Sequence, residues 1–570
     1  MSTTSYSPTL SLKQQIGQMI IVRASGYLFD HQIRYPAWEA SNTKLQTWLE
    51  ELNLGGVILL GGSSVELQAR SRQLQAWAKT SLFIAADIEE GVGQRFSGAT
   101  WFPPPMALGA IAAKNLSLAE KYATEIGAIT AREALAVGIN WLLAPVVDVN
   151  NNPDNPVINI RAFGDNPVIV SKLAAAFIKG ANSQPILTTA KHFPGHGDTA
   201  VDSHLALPSL PHSDSRLAAV ELPPFETAIA AGVDSVMTAH LSIPVWDERY
   251  PATLSSAIVN DRLRKRLGFD GLVVTDALIM GGITKFASPE EIAIRAIEAG
   301  SDILLMPDDP EVAIAAIYNA VMSGRISRQR IEESLARIAK AKAKVISNSE
   351  AELSLLSTKK AKVLVKAVLQ DSLRSGGKLP LRSQPDIEQR SIATALQRRA
   401  RPLAGAGKQS FPSGGNLQRP IESRNLIVVD DVLNCAFLDI HTPAITIPQQ
   451  FNYHRQIVDY NTIGAIATAP RPTLLQIFIR GNPFRGTSGL TTQTKSIYRQ
   501  LVSKELVTGL IIYGSPYVLD WFISFMSQDL PWVFCYGQMS IAQAIALKTL
   551  FNLPSDEKYT ITKTEIDFGF

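Results

Sequence analysis

The fold of this chain is decided by a short stretch that reads ILTTAKHFPGHGDT over residues 186–199. Its first part, Ile186–Ala190, is a run of apolar and β-branched residues that is typical of a buried strand. Pro194, Gly195 and Gly197 then exclude a helix, so the polar residues around them must lie on a loop that follows this strand. Folds built from parallel strands place their chemistry at this end of the sheet.

Similar short apolar runs recur through the first part of the chain and predict eight strands. They are Gln18–Val22, Gly56–Leu60, Leu82–Asp87, Asn140–Val147, Ile186–Lys191, Ser235–His240, Gly271–Asp276 and Asp302–Met306. Segments with apolar residues at helical spacing, such as Ser117–Val137 and Pro224–Ala231, lie between them. This alternation predicts an α/β fold, a (β/α)8 barrel of the TIM type, with an open doubly wound sheet as the structural alternative.

Several of these predicted strands carry a titratable residue at the carboxyl end. The residues are Asp87, Asp148, Lys191 with His192, His240 and Asp276. The carboxyl ends of all strands meet at one face of a barrel, and active sites lie there. The pattern therefore predicts a catalytic cleft lined by these side chains.

Asp276 ends the apolar run of the segment Gly271–Leu278. A carboxylate in that position has an apolar wall behind it and an open cleft in front, which suits a nucleophile that attacks an anomeric carbon. An N-cap of the following helix is the alternative interpretation, since aspartate is a preferred N-cap residue. The position alone does not separate the two.

Asp202 and His204 follow the motif and are two residues apart. Histidine exchanges protons near neutral pH, and a carboxylate beside it orients the ring and stabilises the imidazolium form. Residues two apart in an extended loop point the same way, so the pair can form an acid/base dyad. A purely structural hydrogen bond is the alternative.

A metal site is a further interpretation of the histidines in this region. His192 and His196 have the four-residue spacing of metal ligands on a helix, but Pro194 and Gly195 break any helix between them. The chain also lacks nearby cysteine ligands. The sequence therefore predicts neither a metal nor a cofactor.

Two arginines on predicted loops are candidates for binding a polar substrate. The segment Asp87–Arg95 places a carboxylate and an arginine after the third predicted strand, and Arg161 lies in a loop rich in Pro and Asn. Both side-chain types form charge-assisted hydrogen bonds to hydroxyl groups. The glycines between Asp87 and Arg95 do not match a nucleotide-binding fingerprint, and Arg161 by itself is equally typical of an exposed turn.

The composition is that of a soluble globular protein and does not favour several other classes. The chain has 570 residues, 46% of them hydrophobic, and a formal net charge of +3, which does not favour a nucleic-acid or membrane partner. Cys435 and Cys535 are too few for a disulfide framework. The N-terminal residues do not resemble a secretory signal, and no apolar run is long enough to span a bilayer. These features predict a cytoplasmic location.

The chain changes character after the predicted barrel. We predict a catalytic domain over residues 1–346, a linker over 347–357, and a smaller α/β sandwich domain over 358–570. Residues 372–424, rich in Arg, Gly, Ser and Pro, predict an irregular segment. Beyond it, the predicted strands are Leu426–Val429, Leu474–Ile479, Leu506–Tyr513 and Trp532–Tyr536.

Several segments in order resemble glycoside hydrolase family 3, in its β-N-acetylhexosaminidase branch. They are residues 14–19, Asp87–Phe96, Ala144–Val149, Asn155–Gly164, Lys191–His204, Val274–Leu278 and, in the second domain, Gly514–Tyr517. The motif Lys-His-Phe-Pro-Gly-His-Gly followed by Asp-Ser-His marks the β-N-acetylglucosaminidase branch, in which a histidine replaces the usual acid/base carboxylic acid. Relatives often carry an additional arginine within the segment that corresponds to Glu90–Arg95.

The resemblance implies a retaining double displacement, with Asp276 as the nucleophile, His204 as the general acid/base and Asp202 as the partner of that histidine. It also implies a set of residues that bind the N-acetylglucosamine unit beside the cleaved bond. This set consists of Asp87, Arg95, Arg161, Lys191 and His192.

The prediction for function is therefore an exo-β-N-acetylglucosaminidase. Its small carbohydrate substrate would be an N-acetylglucosamine glycoside, such as a muropeptide released during recycling of peptidoglycan. The alternatives are a phosphorylase with the same fold, a β-glucosidase of the same family, and a sugar-binding protein without catalysis. The sequence does not indicate the oligomeric state.

Overall fold

The computed structural model describes residues 10–345, 352–381, 423–432, 435, 437–459, 461–465, 471–481 and 489–554. The chain divides into two units, Met1–Ser372 with Gly481–Ser488 and Leu373–Arg480 with Gly489–Phe570. Most of the predicted irregular segment 372–424 and part of the predicted linker 347–357 lie outside the described residues. The predicted domain boundaries therefore remain predictions.

Within residues 10–345, the first unit contains eight strands that pair only in parallel. They are β1 Ile20–Ser25, β2 Gly56–Leu60, β3 Phe83–Ala86, β4 Trp141–Leu142, β5 Thr189–Phe193, β6 Ser235–Thr238, β7 Leu272–Thr275 and β8 Leu304–Leu305. All are buried on both faces apart from single half-buried positions, as expected for parallel strands covered by helices.

The eight strands form two sheets. One has the order β4-β3-β2-β1-β8 and the other the order β5-β6-β7. Single parallel bridges link Trp141 to Leu187, just before β5, and Val274 in β7 to Ile303, just before β8. The predicted α/β class with parallel strands is confirmed.

Helices alternate with these strands. They are α1 Leu12–Gly17, α2 Asn42–Thr47, α3 Ser64–Trp77, α4 Met106–Ala112, α5 Leu116–Ala136, α6 Pro167–Ala181, α7 Asp214–Val220, α8 Leu222–Ala230, α9 Gly281–Thr284, α10 Pro289–Ala299, α11 Pro310–Met322, α12 Arg328–Val345 and α13 Lys359–Asp371. Two π-helical segments, Trp48–Leu52 and Ala257–Arg266, accompany them. Many of the helices start at an N-cap that the sequence supplies; for example, the Asn115 side chain accepts from the Leu118 N–H at 3.1 Å.

One boundary in the motif differs from the prediction. The strand that leads into it is β5, which continues through Lys191 and His192 to Phe193, whereas the sequence predicted its end at Lys191. The loop therefore begins at Pro194, which lacks the N–H group that a strand would need to continue.

The second unit is built on a mixed six-stranded sheet with the order β11-β10-β12-β13-β14-β9. Its strands are β9 Arg374–Gly376, β10 Ser423–Val428, β11 Tyr453–Val458, β12 Thr473–Ile479, β13 Val507–Gly514 and β14 Trp532–Cys535. Its described helices are α14 Pro443–Gln449, α15 Thr492–Ser503, α16 Pro516–Ile523 and α17 Ser540–Phe551. All pairs are parallel except the one between β14 and β9.

The four strands predicted for this unit correspond to β10, β12, β13 and β14, whereas β9 and β11 were not predicted, and β9 lies within the segment 372–424 that was predicted to be irregular. The middle of β11 is exposed and polar because this strand lies at the edge of the sheet. It therefore lacks the apolar run by which the buried strands were found. Among the described residues, no helix is both long and apolar enough to cross a membrane.

Lys342 of α12 is a buried cation in the first unit. Its Nζ donates to Gln18 Oε1 at 2.7 Å and lies 5.2 Å from the centre of the Phe83 ring. Burial lowers the pKa of this ammonium group to about 7. In the unfolded chain the group keeps its proton to about pH 10.4.

We expect Lys342→Met to stabilise the first unit in a pH-dependent way. Below about pH 7 the native fold must hold a buried charge, and this cost disappears as the pH rises toward 10 because the unfolded lysine then also loses its proton. The variant should raise the melting temperature by about 2–4 °C at pH 7 and by much less at pH 10. Thermal unfolding at both pH values measures this, with exposed Lys340→Met as the matched control. An equal gain at both pH values would contradict the assignment.

Candidate active site

Strand β5 brings two consecutive polar side chains, those of Lys191 and His192, into one site. Its pairing with β6 runs regularly to Lys191 opposite Met237, and then shifts so that Phe193 lies opposite Thr238. Side chains of a regular strand alternate between the two faces of the sheet, and such an irregularity changes where they point. Lys191 and His192 consequently both contact residues from neighbouring strand ends.

Lys191 lies at the centre of a network of charges in which Lys191 and Glu89 are buried and Asp87 is partly exposed. Its Nζ is 2.7 Å from Asp87 Oδ1 and 2.6 Å from Glu89 Oε1. Both oxygens of Glu89 also accept from Arg161, with Nε–Oε2 and Nη2–Oε1 distances of 2.8 and 2.7 Å. The network therefore joins the residues that follow β3 to β5 and to the loop that holds Arg161.

Opposite charges in this network keep Glu89 and Lys191 ionised although both side chains are buried. Burial by itself raises the pKa of Glu89, but the charges of Arg161 and Lys191 outweigh it and hold that pKa well below its usual range. Burial likewise opposes the charge on Lys191, but Asp87 and Glu89 raise its pKa above the usual value. The network stays ionised and presents fixed charged donors and acceptors to a polar ligand.

Asp148, which follows β4, holds the turn of the motif. Its Oδ1 accepts from the main-chain N–H groups of His192 and His196 at 3.1 and 2.7 Å, and its Oδ2 lies 2.7 Å from His192 Nδ1. Because the carboxylate accepts, Nδ1 of His192 carries a hydrogen. Nε2 of the same ring lies 3.4 Å from Arg161 Nη2. Asp148 therefore orients the imidazole toward the charged network.

The side chain of His196 connects the motif to the loop that follows it. Burial lowers its pKa to about 4, so the ring is neutral at physiological pH. Nδ1 lies 2.8 Å from Thr199 Oγ1, and Nε2 lies 2.9 Å from Ser203 Oγ. The loop is thus anchored next to the predicted dyad.

The predicted contact between Asp202 and His204 is present. Asp202 Oδ1 lies 2.9 Å from His204 Nδ1 and accepts from the His204 main-chain N–H at the same distance. The carboxylate is buried, and the imidazole is 18% exposed. The acceptor oxygen places the Nδ1 hydrogen between the two side chains.

A pair of glycines holds this dyad loop against the segment that follows β7. The N–H groups of Gly281 and Gly282 donate to the main-chain oxygens of His204 and Ser203, each at 3.0 Å. A Cβ atom at Gly281 would lie 2.8 Å from His204 O, and one at Gly282 would lie 2.6 Å from Ser203 O. Only residues without a side chain allow this close approach.

Asp276 directly follows β7 on the same segment. Its main-chain N–H donates to Thr238 O at 3.0 Å, and its Oδ1 accepts from the Ala277 N–H at 2.8 Å. Burial raises its pKa, but the charges of His192, His240 and His204 outweigh this effect and lower the pKa. The side chain is therefore an ionised carboxylate that is stabilised by electrostatic interaction with three histidines.

The alternative interpretation of Asp276 as a helix N-cap is wrong. The next helix is α9, and its N-cap position is Met280. His240 instead supports the main chain beside Asp276, because its Nε2 lies 3.0 Å from Ala277 O. The carboxylate is thus positioned by the strand end rather than by a helix.

Two residues differ from the predicted site: Arg95 does not contact the buried network, and Glu89 belongs to it without having been predicted. Arg95 is exposed, and its Nε donates to the main-chain oxygen of Asp87 at 3.1 Å rather than to the buried network. Glu89, which the sequence analysis did not select, holds both Arg161 and Lys191. Its position two residues after Asp87, beyond a buried strand, was the signal in the sequence that could have indicated this role.

Among the described residues, no group of three or more His, Cys, Asp or Glu side chains is arranged to hold a metal ion.

Comparisons with known proteins cover both units. The family profile "Glycosyl hydrolase family 3 N terminal domain" matches residues 11–341. A second profile, "Bacterial Glycosyl hydrolase family 3 C-terminal domain", matches residues 416–552.

Individual relatives extend these matches. Beta-hexosaminidase A from Pseudoalteromonas piscicida is 33% identical over 422 residues, which cover 66% of this chain and 70% of that protein. A beta-N-acetylglucosaminidase/beta-glucosidase from Cellulomonas fimi is 33% identical over 306 residues, or 51% of this chain and 52% of that protein. The structure of a glycoside hydrolase family 3 beta-N-acetylglucosaminidase from Paenibacillus sp. str. FPU-7 superposes with a TM-score of 0.72 at 27% identity, over 95% of this chain and 97% of that one.

Proposed function

The chain belongs to glycosyl hydrolase family 3 and is a glycoside hydrolase, and on that premise we propose that it is a retaining exo-β-N-acetylglucosaminidase. The observation that carries the proposal is the Asp202–His204 pair, held by Gly281 and Gly282 beside the segment of Asp276. Relatives named as hexosaminidases and acetylglucosaminidases support the choice of sugar.

In the first step, Asp276 acts as the nucleophile. One of its oxygens forms a bond to the anomeric carbon while the bond from that carbon to the leaving oxygen breaks. The lowered pKa of Asp276 keeps this carboxylate ionised. The His204 imidazolium donates its Nε2 proton to the leaving oxygen, and Asp202 stabilises the imidazolium beforehand through Nδ1.

In the second step, the neutral His204 accepts a proton from a water molecule at Nε2. The resulting hydroxide oxygen bonds to the anomeric carbon, and the bond to Asp276 breaks and returns its electron pair to the carboxylate. Two displacements at the same carbon retain its configuration. His204 thereby replaces the second carboxyl group that most retaining glycosidases use.

The charged network binds the terminal sugar in this proposal. Glu89 fixes Lys191 and Arg161, and Lys191 in turn contacts Asp87, so little order must be gained when hydroxyl groups bind to these side chains. His192, oriented by Asp148, contacts Arg161 of this network and interacts electrostatically with Asp276. The exposed Arg95 would bind the same sugar only through movement of its side chain.

The proposal also includes the natural substrate and its location, the closure of the barrel and the domain boundaries. The substrate would be a peptidoglycan fragment with β-linked N-acetylglucosamine, processed in the cytoplasm. The two sheets of the first unit would close into a complete (β/α)8 barrel, which the bridges at Trp141–Leu187 and Val274–Ile303 support. The catalytic domain would comprise residues 1–346 and the smaller domain residues 358–570.

Release of nitrophenol from the β-N-acetylglucosaminide and from the β-glucoside tests the function, with and without inorganic phosphate. We expect turnover of the N-acetyl substrate to exceed that of the glucoside at least about tenfold, since a site built to hold a polar group discriminates strongly. Preference for the glucoside would contradict the assignment. Formation of N-acetylglucosamine 1-phosphate with phosphate present would identify a phosphorylase instead, because a histidine acid/base does not repel an incoming anion.

A further inference from the structure

Exposed aromatic side chains stand on the segment that follows β1, which we call the aromatic segment (residues 26–41). Tyr35 is 43% exposed and Trp38 is 39% exposed, and their rings stack with centres 5.9 Å apart. Exposed aromatic surface of this kind is unusual in a folded protein and marks places where ligands or partners bind. No step of the proposed mechanism uses these rings.

The register of the sheet relates Arg23, which contacts both rings, to the strand that leads into Asp87. Arg23 of β1 is paired with Ile58 of β2, which is paired with Ala85 of β3. Paired residues point to the same face of a sheet, and so do residues two apart along a strand. The Arg23 side chain therefore rises from the same face as Ala85, which lies two residues before Asp87.

Arg23 holds the aromatic pair above this face. The centre of its guanidinium group lies 4.7 Å from the Tyr35 ring centre and 5.5 Å from the Trp38 ring centre, both within the range of cation–π contacts. Its Nε donates to the buried Glu39 at 3.0 Å. The rings are thus fixed from below by a buried ion pair while part of their surface stays open to solvent.

We propose that Tyr35 and Trp38 form a stacking platform for the sugar unit on the leaving-group side of the cleaved bond, an inference that rests on the proposed function. Pyranose rings carry an apolar C–H face, and a fixed aromatic surface buries it at little cost in side-chain entropy. The terminal sugar is held by buried charges such as Lys191, which is only 1% exposed. The part of the substrate that remains for exposed rings on the same face is therefore the leaving group.

Two glycosides with different leaving groups test the platform. One is methyl β-N-acetylglucosaminide, and the other is the β-1,4-linked disaccharide of N-acetylglucosamine. In Tyr35→Ala and Trp38→Ala we expect kcat/KM for the disaccharide to fall roughly tenfold, as the loss of one aromatic contact predicts. For the methyl glycoside we expect a change of less than about twofold, because its leaving group cannot reach the platform.

Phe29→Ala is the matched control. Phe29 lies on the same aromatic segment and is 60% exposed, but it stacks on His31 rather than on the pair held by Arg23. Its ratio of disaccharide to methyl glycoside kcat/KM should equal that of the unaltered enzyme. Trp38→Phe, which keeps an aromatic face, should recover most of the disaccharide activity. If an alanine variant fails to fold, Tyr35→Leu and Trp38→Leu keep the apolar bulk and should still lower the ratio.

The experiment distinguishes failure of the stacking platform from failure of the proposed function. If the unaltered enzyme cleaves both glycosides and the ratio is the same in all variants, the platform is overturned and the proposed function stands. If the unaltered enzyme cleaves neither glycoside, the proposed function fails and the platform fails with it. If the alanine variants keep the ratio but change the mass of the protein in sedimentation from dimer to monomer, the rings belong to a subunit interface and the inference is overturned.

Discussion

Replacing Asp276 by alanine is expected to reduce kcat/KM for an aryl β-N-acetylglucosaminide by on the order of 10⁴-fold or more. The side chain ends β7, its carboxylate is kept ionised by three nearby histidines, and it is proposed to form the covalent bond to the sugar. Without it the reaction has no internal nucleophile. Steady-state kinetics with the purified full-length chain measure the loss.

Azide supplies a sharper readout for the same variant. A small external anion can enter the space left by the missing carboxylate and attack the anomeric carbon directly. A single displacement inverts the configuration, so the expected product is the α-glycosyl azide. Asp270→Ala is the matched control, because exposed Asp270 lies at the opposite end of the same strand. A loss of less than tenfold in Asp276→Ala, or a β-glycosyl azide, would contradict the role of nucleophile.

Replacing His204 by glutamine is expected to reduce kcat/KM for the disaccharide by about 10²–10⁴-fold. Glutamine keeps a polar side chain but cannot carry the transferable proton. The loss should be much smaller for a dinitrophenyl glycoside, because its leaving group needs little protonation. The alkaline limb of the pH–rate profile, which reports deprotonation of the general acid, should disappear.

Asp202→Asn gives an independent check on the dyad. The asparagine can still contact the His204 ring but no longer stabilises its charged form, so the loss should be smaller than in His204→Gln while depending on the leaving group in the same way. His212→Gln is the control, since this histidine pairs with Asp198 outside the proposed reaction. Equal losses for both leaving groups in His204→Gln would show that the residue is structural rather than an acid.

The sequence analysis located the strands of the parallel sheets because their signal is local. Short apolar runs at Gly56–Leu60, Ser235–His240 and Leu474–Ile479 match β2, the whole of β6 with two further residues, and most of β12. The edge strand β11 was missed because solvent on its exposed side permits polar residues. A buried strand can therefore be recognised in the sequence by its apolar run, whereas an exposed edge strand lacks this signal.

The contacts of the site also fall into two groups: those that could be predicted from the sequence and those that only the tertiary structure shows. Asp202 and His204 are two residues apart, so their contact depends only on the local path of the loop and was predicted. Glu89 is 72 positions from Arg161, and no pattern in either segment shows that they meet. The exposed position of Arg95 was equally hidden, because it depends on how the loop after β3 folds back on Asp87.

The sequence by itself determined the order of the eight strands of the first unit, the loop at which the motif leaves β5, and the types of the proposed reacting groups. These follow from short-range properties: apolar periodicity, the missing N–H of proline, and neighbouring side chains. Only the tertiary structure decided that Gly281 and Gly282 hold the dyad loop beside Asp276, and that Glu89 fixes Lys191 and Arg161. Those contacts arise when distant segments pack, and packing selects them through close approach and buried charge, neither of which a local pattern records.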